Sequence, residues 1–474
     1  MARKTKILII GSSPILPTGL GETTRLIFGG LLDHYANKYE LHQIGLFNSI
    51  AVASPRWPVY PTRGKRELDG HMRFRTDDLF GQITFKEVVR SVKPDIVIAF
   101  NDPQRVFHVC SPPEKRAYKL IVYVTIDGSP YPLGGPEKLD QADLILTMSE
   151  FSTNALRERL PARPSGKFGF MYAPADTERF KPVSDTEKTE LRRKLLPPWM
   201  PQSAFILGWV GRNQWRKQVW LLYRVIRAIR TGSYIICKKC ERVTPTHPGP
   251  AAPHFSAHYR NGLANSCKHC RSTDIKKADP LEDIFLWLHM PDEPQQAWSK
   301  SYLEEQFDAR PGRDLHYTDG HKVENHRAID DMPSLYQAWD CMLYLSGGEG
   351  FGVPPWEAMC CGLPVVYTNY SSHAEFLDRA GAGLHVGGTL QPEPQTCIRR
   401  LVANSCEAIQ AVRRLYFNRQ EGQSLGANGR RYVQGFTSIM ESKRWHEILQ
   451  RVLNPSPYRS EVDMAECTTI SPLN

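Results

Sequence analysis

No apolar run among the 474 residues approaches the roughly 18 that a bilayer-spanning helix needs, which argues against a membrane-spanning chain. The first apolar run, Ile7 to Ile10, stops at Gly11-Ser12-Ser13-Pro14. It falls short of the roughly 7 to 15 residues of a signal-peptide core and reads as a first strand. Cysteine is odd in number, eleven in all, and a chain this long does not depend on a disulfide framework. A reducing, cytoplasmic setting is the resulting expectation. The glycine fingerprint of dinucleotide-binding folds is incomplete, because Gly19-Leu20-Gly21-Glu22-Thr23-Thr24 lacks its third glycine. That absence argues against a nicotinamide-dependent dehydrogenase.

What the chain does have is a globular composition, 41% hydrophobic and 23% charged, too apolar for disorder. At about 150 residues per domain the length suits two to four domains. Lys and Arg total 60 against 50 Asp and Glu, leaving a net charge of +10. Such a charge suits phosphate-rich ligands, nucleic acid or peripheral contact with an anionic membrane, without choosing among them.

Apolar strand-like runs alternate with helical stretches. Lys6 to Ile10, Asp95 to Phe100, Leu120 to Thr125 and Leu144 to Thr147 form one series; Phe205 to Val210, Ile284 to His289, Cys341 to Leu345 and Pro364 to Tyr367 form a second. This predicts an α/β protein with two Rossmann-like, doubly wound parallel sheets facing a cleft. A charged, proline-containing stretch between the two series, with Lys181-Pro182 and Leu196-Pro197-Pro198, reads as a linker. Ligands of open parallel sheets sit beyond the carboxyl ends of the strands, which places a substrate in the cleft.

The most informative stretch is Ser346-Gly347-Gly348-Glu349-Gly350-Phe351-Gly352-Val353-Pro354-Pro355-Trp356-Glu357-Ala358-Met359-Cys360-Cys361-Gly362-Leu363-Pro364. A strand ends, a glycine loop follows, and a helix begins near Pro354. Gly350 and Gly352 let backbone N–H groups approach a phosphate or sugar, and the helix N-terminus favours an anion. Glu349 in the loop and Glu357 one turn into the helix can face one ligand, each able to accept two hydrogen bonds from vicinal hydroxyls. A second basic loop follows a strand in Gly208-Trp209-Val210-Gly211-Arg212-Asn213-Gln214-Trp215-Arg216-Lys217.

These elements resemble the retaining GT-B glycosyltransferases of glycosyltransferase family four, marked by E-G-F-G-x-P-x-x-E-A-M followed by C-G-x-P-V-V. Glu349 to Met359 and Cys361 to Val366 match that pattern with its E-x7-E spacing, and Arg212 and Lys217 match the family's basic pair. Ala142 to Ser152 and Ala175 to Pro182 resemble the family's first-domain closing strand and its hinge. The resemblance implies that Glu349 contacts the donor sugar at the reaction centre, with backbone contacts from Gly350, Phe351 and Gly352. It implies that Glu357 binds ribose hydroxyls, that Arg212 and Lys217 neutralise the donor diphosphate, and that Gly19 and Gly21 lie near it. Arg216 is an additional cation without an assigned role. Asn101-Asp102 and Thr125-Ile126-Asp127-Gly128 lie on the acceptor side, where many relatives carry a histidine and this chain has Asp127. The family's front-face mechanism lets the leaving phosphate help deprotonate the acceptor hydroxyl. No Asp-x-Asp pair, which in the other major glycosyltransferase fold holds a metal on the diphosphate, occurs here. No catalytic metal is therefore expected.

An insertion within the second series falls outside the family pattern. Cys237-x2-Cys240 and Cys267-x2-Cys270 have the spacing of a tetrahedral structural Zn²⁺ site with no open position. His247, His254, His258 and His269 are possible substitutes for one of these ligands. Lys238, Lys239, Arg242, Arg260, Lys268, Arg271, Lys276 and Lys277, with Phe255 and Tyr259, add a basic and aromatic surface suited to nucleic acid, or simply solvated.

The resulting expectation has an N-terminal acceptor-side domain over 1–178, a linker over 179–204 and a nucleotide-sugar domain over 205–436. The latter carries a zinc-ribbon or knuckle-like insertion over 235–277, followed by a C-terminal helix over 437–454 and a tail over 455–474. The function expected is retaining transfer from a nucleotide-diphosphate sugar to an acceptor hydroxyl. A hydroxymethylated base in DNA is one acceptor; glycans, lipid-linked sugars and small molecules are open alternatives, as is a non-catalytic nucleic-acid-binding protein of the same fold.

Overall fold

The computed structural model describes residues 3–16, 18–47, 56–62, 64–68, 71–75, 78–132, 134–160, 165–245, 267, 269–290, 298–318, 332–393 and 396–455. His247, His254, His258, Phe255, Tyr259, Arg260, Lys268 and nearly all of the C-terminal tail lie outside those residues. The first half carries β1 (Thr5–Ser12), β2 (Tyr39–Leu46), β3 (Val59–Pro61), β4 (Gly64–Leu68), β5 (His71–Arg75), β6 (Ile96–Asn101), β7 (Lys119–Val124), β8 (Leu144–Thr147) and β9 (Phe168–Phe170). The second carries β10 (Phe205–Val210), β11 (Tyr234–Cys237), β12 (Val243–Pro245), β13 (Ile275–Lys277), β14 (Ile284–His289) and β15 (Leu315–Tyr317). It continues with β16 (Cys341–Tyr344), β17 (Val365–Thr368), β18 (Gly383–Val386), β19 (Gly388–Pro392) and β20 (Arg399–Ala403).

Two all-parallel sheets result. One runs β3-β2-β1-β6-β7-β8-β9 and the other β15-β14-β10-β16-β17-β18. Both are doubly wound, as the alternation predicts. Their central strands are buried on both faces, from Ile7 to Ile10 in β1 and throughout β6 and β14, which is why they read as unbroken apolar runs. Chain order reverses between β1 and β6 and again between β10 and β16, and the carboxyl edge at such a reversal is where open α/β sheets hold ligands.

The stretch read as a linker is not without structure. It contains a helix, Asp185–Leu195, started by a capping box in which Ser184 and Glu187 satisfy each other's backbone N–H groups. Its buried Arg192 donates to the carbonyls of Ala338, Gln202 and Ala204 and pairs with Asp340, fastening the connector to the second half. At the far end the chain turns through Gln434–Phe436, and the helix Ser438–Leu453 crosses back to the first half. There Trp445 packs against Phe28 and Tyr123, with ring centroids 5.9 and 5.5 Å apart.

Three small antiparallel pieces stand outside the large sheets. They are β4–β5, the β12-β11-β13 sheet within the cysteine-bearing insertion, and the β19–β20 hairpin.

Candidate active site

At the reversal of the second sheet two loops meet. β10 leads into a tight turn, Trp215–Lys217, and Gln218 at φ +48° starts the helix Val219–Thr231. β16 leads into the glycine loop, where Gly352 at φ +110° opens the helix Val353–Cys360. The loops are tied by Gly347 N donating to Arg216 O at 2.7 Å.

Glu349 is 4% exposed and sits between two cations. One carboxylate oxygen accepts from Arg216 Nη1 at 2.8 Å; the other accepts from Lys217 Nζ and from Tyr344 Oη, the latter at 2.8 Å. Burial alone would favour the neutral acid, but Arg216 and Lys217 outweigh it and hold the carboxyl well below the usual range. Burial, reinforced by the Arg216 charge, lowers Lys217 to about 8, and Glu349 only partly offsets that. Burial also opposes the charge on Arg216, but Glu349 and Asp127 keep its guanidinium firmly protonated. Sequence reading left Arg216 without a role; the structure makes it a direct partner of Glu349. The expected partner Arg212 is solvent-exposed, and its side chain has no hydrogen bond or ion pair among the described residues.

Ser371 and His373 were not anticipated. Ser371, at the strained φ of +66°, accepts the Glu349 backbone N–H at 2.8 Å. His373 is fully buried behind Glu349, with Thr368 Oγ1 at 2.9 Å from its Nε2, and burial lowers it to about 4, so it is neutral. Nothing in the spacing of Tyr370-Ser371-Ser372-His373 signals this placement. Phe351 is buried against Trp356 and Phe376 at 5.2 and 5.1 Å, so its side chain anchors the loop from below.

Glu357 lies on the next helix, with Tyr336 Oη donating to it at 2.6 Å. Burial raises its carboxyl to about 8. It lines a small pocket between the halves, together with Glu22, Thr23, Asp176, Phe180 and Trp356. Gly19 and Gly21 form the first turn of the helix Gly19–Tyr35 on the opposite wall. A side chain at Gly19 would touch Val353 at 3.1 Å, so that glycine sits directly against the start of the Glu357 helix.

The first half contributes the loop after β7. A side chain at Gly350 would lie 2.6 Å from Thr125 Cβ, and one at Gly348 would lie 2.1 Å from Asp127 O, so the glycine loop lies directly against the first half, against the Thr125 side chain and the Asp127 backbone. Asp127 pairs with Arg400 at 3.0 Å and Arg216 at 3.6 Å. Asp102 accepts from Thr125 Oγ1 at 2.7 Å, and Asn101 Nδ2 donates to Ser12 Oγ at 3.2 Å, both at the same carboxyl edge. Farther along, Glu375 accepts the N–H groups of Glu150 and Phe151 at 3.1 and 2.7 Å, a carboxylate from one half at a helix start of the other.

The four predicted cysteines converge. Cys237 and Cys270 sulfurs are 3.5 Å apart, as are those of Cys240 and Cys267, and all four lie within 4.8 Å of one another. Both pairs make the same turn. Glu241 N donates to Cys237 O and Cys237 N to Arg242 O; Arg271 N donates to Cys267 O and Cys267 N to Ser272 O. Glu241 and Arg271 take left-handed φ of +58° and +56°. Burial opposes ionisation of Cys237 and Cys267, but turn N–H groups aimed at their sulfurs favour the thiolates. Sulfurs about 2.3 Å from a tetrahedral Zn²⁺ would be about 3.8 Å apart, which this set fits. The module roots at the amino edge of the sheet, because the helix Val219–Thr231 first carries the chain back by about 20 Å. The cluster therefore lies at the opposite end of the sheet from Glu349.

Residues 313–408, which contain Glu349 and Glu357, match the family described as Glycosyl transferases group 1. The O-antigen chain mannosyltransferase B of Escherichia coli is 48% identical over 52 residues, 11% of this chain and 14% of that protein. A putative glycosyltransferase of Bacillus subtilis (strain 168), YtcC, is 20% identical over 444 residues, 93% of this chain and 90% of the relative. HepE of Anabaena, solved in complex with UDP-glucose, superposes with a TM-score of 0.59 at 15% identity, covering 94% of this chain and 99% of that one. The fold is GT-B.

Proposed function

We propose that this chain is a glycosyltransferase that moves a sugar from a nucleotide-diphosphate sugar to an acceptor hydroxyl with retention of configuration. The observation that carries this reading is the Arg216–Glu349–Lys217 cluster, with Glu349 and Lys217 buried, set where the glycine loop meets the loop after β10 at the reversal of the second sheet. Burying the charges of Glu349 and Lys217, with Arg216 partly exposed beside them, costs several kcal/mol of desolvation that a fold has no need to bear. Such a cluster in a cleft marks chemistry and weighs against a non-catalytic binding protein.

The geometry supports the following roles. Glu349, held as a carboxylate, faces the positive charge that develops on the sugar as the bond to phosphate breaks. Lys217, with Arg212 free to swing in from the rim, offsets the charge on the departing diphosphate. The N–H groups opening the helix Val353–Cys360 add to that field. Glu357 stands beside the cavity for the ribose hydroxyls, and Asp127 faces the acceptor. The leaving phosphate takes the acceptor proton, so neither a protein nucleophile nor a catalytic metal is needed. UDP-glucose, bound by the Anabaena protein, is the first donor to try.

Cys237, Cys240, Cys267 and Cys270 would hold a structural Zn²⁺ that cross-links the insertion. Its distance from Glu349 supports a stabilising role and not an acceptor clamp. A hydroxymethylated DNA base suits the net charge of +10, and a glycan suits the kinship with an O-antigen mannosyltransferase.

The test is labelled-sugar transfer from UDP- and GDP-sugars to duplex DNA carrying hydroxymethylated pyrimidines and, separately, to glycan acceptors, with Glu349→Ala as control. Incorporation lost in the variant supports the transferase and identifies the acceptor. Incorporation that survives Glu349→Ala would sink the assignment.

A further inference from the structure

The β19–β20 hairpin belongs to neither large sheet, yet it reaches across the cleft. Its inner side is fastened to the catalytic loops: Leu401 N donates to Gly347 O at 3.0 Å, and Gln218 bonds both Leu401 O and Ala403 N. From this base Arg400, 8% exposed, donates through Nη1 to Asp127 O at 2.7 Å and pairs with Asp127 Oδ1 at 3.0 Å. Its Nη2 reaches Glu393 at 3.3 Å. Beside it Ser129 N donates to Tyr370 Oη at 3.0 Å, and Tyr370 Oη donates to Arg399 O at 2.8 Å. Residues 127–129 are thus gripped from the second half at both backbone and side chain.

A line of alternating charge results: Arg400, Asp127, Arg216, Glu349, Lys217. Glu349 is fixed from its own loops. Asp127 comes from the other half, and among the described residues its carboxylate partners are Arg400 and Arg216, both from the second half.

We propose that Arg400 is a positioning residue for sugar transfer. It acts through Asp127, setting that carboxylate beside the Arg216–Glu349 pair whenever the cleft closes, so that the acceptor hydroxyl is oriented at the reacting carbon. The proposal rests on the glycosyltransferase reading and adds to it a residue that sequence motifs do not mark. Water is the smallest acceptor, so slow donor hydrolysis reports the same alignment before the acceptor is known.

The full chain is assayed for hydrolysis of UDP-glucose, UDP-galactose and GDP-mannose as wild type, Arg400→Ala, Arg400→Lys, Asp127→Asn and the Arg400→Ala/Asp127→Asn double variant. Binding of UDP and GDP is measured alongside by calorimetry. In Arg400→Ala, kcat should fall about tenfold or more with nucleotide Kd within about threefold of wild type, and Arg400→Lys should recover part of it. The double variant should be no slower than the worse single variant, because both changes break one link. Wild-type kcat in Arg400→Ala, losses that multiply in the double variant, or a parallel collapse of nucleotide binding would each overturn the role of Arg400 alone. A wild type that turns over none of the three donors counts against the transferase reading itself, and Arg400 falls with it.

Discussion

Glu349 and Lys217 form a pair whose chemistry depends on both being charged, and their pKa values are displaced in the directions that set the working range. Lys217, lowered to about 8, loses its proton as pH rises through that value, while Glu349 stays ionised throughout. Donor turnover measured as kcat/KM should therefore fall above about pH 8, and Lys217→Arg, if active, should move that limb upward. An unchanged alkaline limb in Lys217→Arg would remove Lys217 from the titration. Replacing Glu349 by Gln keeps the shape but leaves buried Lys217 without a counter-charge and Arg216 with Asp127 alone, so turnover should drop by about 100-fold or more. Glu349 and Glu357 were legible in the sequence because a glycine loop and an E-x7-E spacing mark them, and Lys217 was singled out only through the resemblance to the family's basic pair. Arg216 was not, because adjacent cations on one loop look alike until the turn at Trp215–Lys217 shows which faces inward. Asp127–Arg400 was invisible for a different reason: the partners are 273 positions apart, and no local pattern links them.

At the scale of elements, the central strands were readable because burial on both faces forces continuous apolar sequence, as in β1, β6, β10 and β14. Edge and auxiliary pieces were not. β19 is largely exposed, so its sequence carries no such run. The helix Asp185–Leu195 was masked by its charge, although Ser184-x-x-Glu187 is a helix-start signal. The cysteine insertion was the clearest element, since two Cys-x2-Cys turns have few other uses. One Zn²⁺ per chain should be found by metal analysis, and Cys270→Ser should lower Tm markedly while leaving kcat per folded molecule within about twofold, given the distance from Glu349. Equal losses of kcat and zinc would tie the module to catalysis instead.

The C-terminal helix gives a stability prediction. Burial raises Glu441 to about 7, partly offset by Arg444. The folded state therefore holds a proton that the unfolded chain has released above about pH 5. This contribution is present at low pH and lost as pH rises through about 7. Tm should decline over that window, and Glu441→Gln should flatten the slope by roughly 2 to 4 °C. A slope unchanged in the variant would assign the proton elsewhere.

The whole molecule is two doubly wound halves closed on a glycine seam, with the helix Ser438–Leu453 strapping the second half to the first. The sequence predicted both halves and the cleft; it did not predict the seam, because Gly348 against Asp127 and Gly350 against Thr125 are contacts between chain segments more than 200 residues apart. Gly348→Ala would drive a methyl group into the Asp127 carbonyl and hold the halves apart. Small-angle scattering of that variant should show a larger radius of gyration than wild type in the presence of UDP, with turnover reduced; identical scattering and turnover would mean that closure at this seam is not required.

The most direct test of the central claim is turnover of labelled UDP- and GDP-sugars by the full chain and by Glu349→Gln, with nucleotide binding measured on the same samples. Sugar released or transferred by the wild type, and lost in a variant that still binds nucleotide, is the predicted result. Equal turnover by both proteins, or nucleotide sugars neither bound nor consumed by the wild type, would contradict the assignment of this cleft to glycosyl transfer.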